Sequence, residues 1–197
     1  MAEFFDVVHR QRACRDFATT DVSDDVVAQV LDAATFAPSA ENTQPWVFVV
    51  VRDEGARARL VELTRQVWLG ARAHEEEHLD ARILADVDTG VAEGFARAPV
   101  ALVVCGDAGH AFERTLPSSV FPATQNLLLA ATALGLGSAL TTLATAMTGD
   151  LVELIALPDH VKPMAVVFLG WPAKELGPPR RTPFNEKAHR DRYGQRW

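Results

Sequence analysis

The sequence predicts one compact domain in which helices alternate with buried strands. Its 197 residues suit a single domain, and 48% of them are hydrophobic, which is enough for a sizeable core. Amphipathic stretches at helical spacing indicate helices, and uninterrupted runs of β-branched residues indicate strands. The sequence contains no internal repeat or low-complexity tract. We therefore expect a single domain over 1–197, with a core at 1–170 and a C-terminal arm at 171–197.

Two helices and a strand are predicted in the first quarter of the chain. Phenylalanine and valine on one face predict a short helix over Glu3–Gln11. Ser23 can cap a second helix, whose apolar stripe ends before Pro38. The run Trp46–Val51 predicts a buried strand, because β-branched and aromatic residues follow one another without alternation. A polar loop joins the second helix to this strand.

The middle of the chain predicts two more helices and a second strand. Apolar stripes indicate helices over Arg57–Ala73 and Glu75–Ala92, the second of them with acidic residues on its other faces. Ala98–Cys105 is apolar almost throughout and predicts a strand buried on both faces.

A long apolar helix over Phe121–Leu134 is predicted next. Ser118 or Ser119 can cap it, and Gly135 is its expected C-terminal stop. The remaining predicted elements are a strand, a short helix and a last buried strand, over Ser138–Leu143, Asp150–Ala156 and Lys162–Gly170.

The last segment, Trp171–Trp197, differs in character from the core. It contains four of the eleven prolines and many bases, together with Phe184, Tyr193 and Trp197. Disordered tails are usually poor in aromatic residues. We therefore expect this segment to be an arm that docks on a partner subunit.

Charge and cysteine content exclude several classes of protein. The 19 bases and 26 acids give a net charge of −7, which argues against binding to nucleic acids or anionic membranes. Cys14 and Cys105 are too few for a disulfide framework or a cysteine-only metal site. The stretch Met1–Arg12 lacks the apolar core of a signal peptide, and no stretch approaches the ~18 apolar residues of a membrane span. We expect a cytoplasmic protein that binds neither nucleic acid nor membrane.

The segment His74–His78 matches the HExxH pattern of zinc hydrolases. A catalytic zinc site needs a shielded cleft and a third ligand. On the predicted helix both imidazoles lie on the side opposite the apolar stripe and face water. We therefore expect no metal site.

Two other patterns also fail on context. In Gly135-Leu136-Gly137, the third glycine of a dinucleotide-binding fingerprint is replaced by Leu140, and the glycines follow a helix rather than a strand. Ser39, Ser118 and Ser119 lack the G-x-S-x-G setting of a hydrolase nucleophile.

Basic and amide residues form the remaining pattern. Its parts are the arginines Arg10, Arg12 and Arg15, the polar loop Ala37–Trp46 and the segment Pro179–Pro183. Arginines suit a phosphate, and the amides of Asn42 and Gln44 suit the edge of a heteroaromatic ring. Surface charges and a plain connecting loop would produce the same residues. The pattern alone leaves a phosphorylated cofactor and this simpler interpretation open.

Cys14 lies between Arg12 and Arg15. Neighbouring positive charge can lower a thiol pKa and make the cysteine reactive, whereas burial makes it inert. The sequence leaves both outcomes open.

Four segments share their order and spacing with a known family. They are Arg12–Phe17, Ala33–Trp46 with its APSAENTQPW loop, Gln125–Ser138 with its GLG turn, and Arg181–Pro183. Over nearly the whole chain they resemble the FMN-dependent nitroreductase family. The loop is the most specific motif, the arginine pair is moderately specific, and the GLG turn is weak on its own.

The resemblance implies an α+β fold with a central mixed or antiparallel sheet flanked by helices. It also implies an intertwined homodimer with two FMN sites at the interface and the C-terminal arm wrapped over the partner. This agrees with the arm expected from the aromatic residues of the tail.

By the same resemblance, Arg12 and Arg181 would hold the FMN phosphate, and Arg15 would lie toward the ribityl chain and the pyrimidine side of the ring. A positive group there would stabilise negative charge on the flavin. The loop residues would line the site partly from the other subunit. No catalytic side chain is implied, because flavin N5 would carry the chemistry. The implied cofactor-binding set is Arg12, Ala13, Arg15, Pro38, Ser39, Asn42, Gln44, Leu140, Thr141, Thr142 and Arg181.

The chain departs from the family pattern at three places. Ala13 stands where serine is frequent and Gln11 where a further base is common, so the phosphate would rely more on backbone amides and Arg180. The stretch Arg65–Arg97 matches no motif. Because the corresponding family helices cover the substrate pocket, substrate identity is not carried over.

The resemblance implies an FMN-dependent NAD(P)H oxidoreductase. Hydride would pass from NADH or NADPH to flavin N5 and then to an electron-poor small molecule such as a nitroaromatic, quinone or enone. Two alternatives stay open. One is a protein that stores or sequesters flavin, and the other is a specialised enzyme that dehalogenates its substrate or fragments the flavin.

Overall fold

The computed structural model describes residues 3–197, in which six α-helices surround a four-stranded sheet. The helices are α1 Phe4–Arg10, α2 Asp24–Thr35, α3 Glu54–Glu75, α4 Ala81–Thr89, α5 Leu116–Ala133 and α6 Thr148–Leu154. The strands are β1 Trp46–Val51, β2 Val100–Asp107, β3 Gly137–Thr141 and β4 Val161–Gly170. A single π-helical turn, Gly90–Gly94, continues α4.

The sheet has the order β1-β2-β4-β3, and all three pairings are antiparallel. At its centre, Val103 lies opposite Val49 on one side and Val166 on the other. The register between β2 and β4 shifts at Val104 and Cys105, where β4 carries one extra residue. The α+β class is thus confirmed, and the sheet is fully antiparallel.

Strand β2 divides the core into two layers. Ala101, Val103 and Cys105 face a layer covered by α3, α4 and α6, whereas Leu102 and Val104 face a layer covered by α2 and α5. All these side chains are fully buried. The uninterrupted apolar run of β2 therefore follows from burial on both faces.

The prediction of one helix over Glu75–Ala92 is wrong. Helix α3 continues through Glu75, and α4 begins only at Ala81. The Asp80 carboxylate accepts the backbone N–H of Arg82 at 2.8 Å and starts the new helix. The intervening acidic residues form the turn between the two helices.

Helix α5 begins earlier than predicted, so neither serine is its cap. Thr115 precedes the first helical residue, and Ser119 lies buried inside the helix, where its hydroxyl accepts the N–H of Ala40 at 3.1 Å. The predicted stop is confirmed, because Gly135 adopts the left-handed conformation with φ +82°. Strand β3 ends at Thr141, two residues before the predicted end.

An extended stretch at residues 12–18, here called the crossing segment, lies across the edge of the sheet. The Cys14 N–H bonds the Ser138 carbonyl at 2.8 Å, and the Ala18 N–H bonds the Trp171 carbonyl at 2.8 Å. The segment is therefore tied both to β3 and to the start of the C-terminal arm.

Two glycines make room for the crossing segment. A side-chain carbon at Gly137 would lie 2.6 Å from the Cys14 sulfur, and one at Gly94 would overlap the Arg15 carbonyl oxygen. The Gly94 contact is with backbone, which cannot rotate away. The close approach of β3 and of the π-helical turn to the crossing segment thus depends on glycine at these positions.

We predict that Gly94→Ala destabilises the protein by about 1–3 kcal/mol, the usual cost of overpacking a close contact. Gly70→Ala is the matched control, because Gly70 also lies in a helical segment but a side-chain carbon there meets nothing within 4 Å. It should stabilise the protein by about 0.5–1 kcal/mol. Urea unfolding measures both variants, and equal effects would contradict the packing described here.

Candidate functional site

The crossing segment brings two arginines to one side of the sheet. The Arg12 guanidinium donates to the Gly177 carbonyl at 3.0 Å, and the Arg15 guanidinium pairs with the Asp86 carboxylate at 2.7 Å. Both side chains are half-buried. Their positions follow from the backbone bonds that fix the segment against β3 and the arm.

A first cavity, here called the arginine cleft, has a volume of about 260 Å³. It brings together four of the predicted site residues, and Arg180, the expected substitute for missing phosphate contacts, lines it as well. Five arginines and one acid meet here in a chain with a net charge of −7. The lining residues are Arg12, Ala13, Arg15, Arg82, Ile83, Asp86, Pro178, Pro179, Arg180 and Arg181.

A second cavity, here called the Trp68 cleft, adjoins the first through Arg15 and has a volume of about 280 Å³. Three further predicted residues, Leu140, Thr141 and Thr142, line it. Trp68 and Phe95 also line this cleft. Aromatic and aliphatic walls with a few polar groups are typical of a site for a flat organic ring.

The remaining predicted residues do not join these clefts within one chain. Pro38, Asn42 and Gln44 are exposed and Ser39 is half-buried. Their loop instead contributes Ala40, Glu41 and Thr43 to a third cavity of about 320 Å³, whose other wall is residues 108–112 and Thr115. A single subunit therefore holds the two halves of the predicted site apart.

The loop has an unusual backbone that presents its amides outward. Glu41, Asn42 and Gln44 all adopt positive φ values, of 54°, 55° and 50°. The Ser39 hydroxyl accepts the Gln44 N–H at 3.0 Å and helps to hold this shape. Non-glycine residues in this conformation are costly and cluster at functional sites.

The family resemblance implied that helices of the α3–α4 region cover the substrate pocket, but no individual residue of this region was predicted for the site. Arg82 and Asp86 line the arginine cleft, and Trp68, Glu75 and Val87 line the Trp68 cleft. The sequence offered one weak signal, the four-residue spacing of Asp86, Gly90 and Gly94. This spacing indicates a common helix face but not what that face contacts.

The HExxH segment straddles the end of α3. The imidazole centroids of His74 and His78 lie 4.7 Å apart, and the ligating atoms of these residues and Glu77 lie within 4.8 Å of one another. All three side chains are exposed, as expected, and none lines the arginine cleft or the Trp68 cleft. The segment thus lacks the shielded cleft that a catalytic zinc requires.

The structure decides between the two outcomes for Cys14. The side chain is 1% exposed, and its thiol donates to the Asp16 carbonyl at 3.2 Å. Burial raises the pKa of Cys14 and outweighs the opposing hydrogen bond and the charge of Arg12. Burial likewise raises the pKa of Cys105 to about 12. Both thiols are therefore protonated at neutral pH and inert in the folded chain.

Comparison of the sequence with known proteins identifies its family. The sequence model of the nitroreductase family matches residues 8–171. The chain belongs to the nitroreductase family. It is accordingly an oxidoreductase, and the resemblance of its motifs is confirmed over most of its length.

Individual relatives differ in the reactions that their names describe. A protein of Methanothermobacter thermautotrophicus named NADH dehydrogenase/NAD(P)H nitroreductase is 29% identical over 180 residues, covering 89% of this chain and 80% of its own. The 5,6-dimethylbenzimidazole synthase of Rhodospirillum rubrum is 32% identical over 175 residues, covering 84% of this chain and 80% of its own. Among solved structures, a nitroreductase-like protein of Desulfovibrio desulfuricans in complex with FMN has a TM-score of 0.76 and 25% identity, covering 98% of this chain and 99% of that one.

Within residues 3–197, none of the helices combines the length and apolar character required to cross a bilayer.

Proposed function

We propose that the protein is an FMN-dependent NAD(P)H oxidoreductase that acts as a homodimer and reduces an electron-poor organic acceptor. The observation that carries this proposal is the joining of the arginine cleft and the Trp68 cleft at Arg15. A phosphate and a flat ring, linked by a short chain, need adjoining sites of these two kinds.

The arginine cleft fits a phosphate. Among residues 3–197, Arg12, Arg180 and Arg181 form no ion pair with an acid, and the hydrogen bonds of Arg12 and Arg181 go to backbone carbonyls. Their remaining N–H groups are free to bind a dianion. Ala13 offers no hydroxyl there, so these guanidinium groups supply most of the binding.

The Trp68 cleft fits the ring end of the same molecule. Arg15 lines both clefts and is the one basic residue among those that line the Trp68 cleft. A cation at the N1 and C2 carbonyl side of a flavin stabilises the negative charge that reduction places there. When bound, FMN itself would carry the hydride. The protein therefore needs no nucleophile or acid–base pair of its own.

The second subunit completes the site in this proposal. The side chains of Asn42 and Gln44 are exposed, and the Gln44 amide bonds only the Asn42 carbonyl of its own loop, at 3.3 Å. The same loop of a partner can therefore supply amides to the ring edge that one chain leaves open. Phe4 and Phe5 of α1 are 64% and 70% exposed, which is unusual for an isolated subunit.

The C-terminal arm supports the same dimer. Its first residues are tied to the chain's own core, since the Ala173 N–H bonds the Asp16 carbonyl at 3.0 Å. Farther along, Phe184, Tyr193 and Trp197 are 68%, 93% and 61% exposed. The arm folds back here, with His189 paired to Arg196. Exposed aromatic residues on this folded end fit a partner surface better than water.

The proposal is tested by the visible spectrum of the purified protein, chromatography of the ligand released on denaturation, and anaerobic titration with NADH and NADPH. We expect FMN to be released and its absorbance to be bleached by at least one nicotinamide. A protein that binds no FMN would contradict the cofactor site.

Reoxidation separates the alternatives. Return of the flavin absorbance on adding a nitroaromatic, quinone or enone supports the oxidoreductase as proposed. FMN that stays oxidised with both nicotinamides would instead indicate a storage protein. Loss of the flavin itself during turnover would indicate a flavin-fragmenting enzyme.

We predict that Arg181→Ala weakens FMN binding roughly ten- to a hundredfold, the effect of losing one charge-assisted phosphate contact of about 1.5–3 kcal/mol. Arg192→Ala removes the same charge from an exposed part of the arm that does not line the cleft, and should leave binding unchanged. Isothermal titration of the apoprotein with FMN measures both. Equal effects would mean that only overall charge matters.

The dimer is tested by replacing Phe184 and Trp197 together with alanine in the full chain. Losing two buried aromatic contacts should raise the dimer dissociation constant at least about a hundredfold. Leu69→Ala, which truncates a residue 55% exposed on α3, serves as the control. Sedimentation equilibrium measures the constant, and a dimer as tight as the parent protein's would contradict docking of the arm.

A further inference from the structure

Helix α4 and the π-helical turn that follows it hold Arg15 from several sides. The Asp86 carboxylate pairs with the Arg15 guanidinium at 2.7 Å. Gly90 lies one helical turn later, four residues after Asp86. A side-chain carbon at this position would lie 3.0 Å from the Arg15 β-carbon. Four residues further on, Gly94 packs directly against the Arg15 carbonyl oxygen. Three positions spaced by four residues therefore contact the charged end, the aliphatic stem and the backbone of one arginine.

Two further sets of contacts fix the stretch 86–97, one within α4 and one at its end. Beyond Gly94, Arg97 pairs with Asp16, the neighbour of Arg15, at 2.6 Å. On α4 itself, the Asp88 carboxylate accepts from Trp68 at 2.7 Å and from Arg72 at 2.9 Å. Helix α4 is thus anchored to α3 through Asp88 and to the crossing segment through Asp86.

These contacts connect two parts of the site that are distant in sequence. Trp68 lines the Trp68 cleft and is bonded to α4, while α4 holds the arginine that separates this cleft from the arginine cleft. The aliphatic part of the Arg15 side chain has several rotatable bonds, so the position of its planar guanidinium depends on the acid that pairs with it.

We propose that Asp86 is a positioning residue that aims the Arg15 guanidinium and partly offsets its charge, so that helix α4 sets the electrostatics of the ring site. This inference rests on the proposed function, because it takes FMN as the ligand of the joined clefts. Asp86 acts through Arg15 rather than on the flavin directly.

The reduction potential of bound FMN tests this, measured by equilibration with reference dyes for the parent protein, Asp86→Asn, Arg15→Gln and the double variant. We expect Asp86→Asn to raise the potential, because the uncompensated Arg15 charge favours the reduced, more negative flavin. In the Arg15→Gln background, Asp86→Asn should raise the potential by clearly less than in the parent protein. Only the through-space charge of Asp86 is lost there, and no guanidinium is released from its partner.

Control variants make the result specific. Glu93→Gln removes one negative charge from the same stretch, where Glu93 pairs with Arg97 at 3.4 Å and not with Arg15, and should leave the potential unchanged. Asp86→Glu keeps the charge and should return the potential at least half-way to the parent value. Circular dichroism and thermal melts confirm that each variant is folded, and Asp86→Glu carries the comparison if Asp86→Asn does not fold.

Additive shifts in the double variant, or no shift in Asp86→Asn, would overturn the inference while leaving the proposed function intact. A parent protein that binds no FMN would overturn the proposed function instead. The two failures are therefore distinguishable.

Discussion

The close packing of the crossing segment is the constraint on which the rest of the site depends. Its backbone hydrogen bonds to β3 and to the start of the arm fix where Arg12 and Arg15 emerge. That packing is possible only because Gly94 and Gly137 leave room beside it. The sheet, the α4 region and the C-terminal arm therefore all meet at one short stretch of chain. Arg15 of this stretch lines both the arginine cleft and the Trp68 cleft.

Five arginines line the arginine cleft of this acidic protein. Guanidinium groups from the crossing segment, from α4 and from the arm converge on the arginine cleft, although these elements are far apart in sequence. Mutual repulsion makes such a cluster unfavourable without an anion. The cluster therefore supports the proposed phosphorylated ligand, since Asp86 offsets only part of its charge.

Sequence reasoning succeeded where local chemistry decides the structure and failed where distant contacts do. The apolar runs of β1, β2 and β4 and the helix stop at Gly135 are local signals, and these strands and this stop were confirmed. The predicted burial of β1 was wrong, because β1 is an edge strand that is mostly half-buried, with Val50 39% exposed. The prediction of Ser119 as a helix cap was wrong. The helix begins at Leu116, and the Ser119 hydroxyl instead accepts the backbone N–H of Ala40. The convergence of Arg12 and Arg181 followed from the family resemblance, since no spacing rule connects residues so far apart. The proposed role of Asp86 was missed because the four-residue spacing of Asp86, Gly90 and Gly94 does not identify Arg15 as their common partner.

A crystal structure of the protein saturated with FMN tests most directly the claim that the site is built around Arg15 from two chains. We expect the phosphate to lie against Arg12 and Arg181 of one subunit, with Arg15 at the pyrimidine side of the ring and still paired with Asp86. The APSAENTQPW loop of the other subunit should lie at the ring edge. FMN bound within a single chain, or away from Arg15, would contradict it.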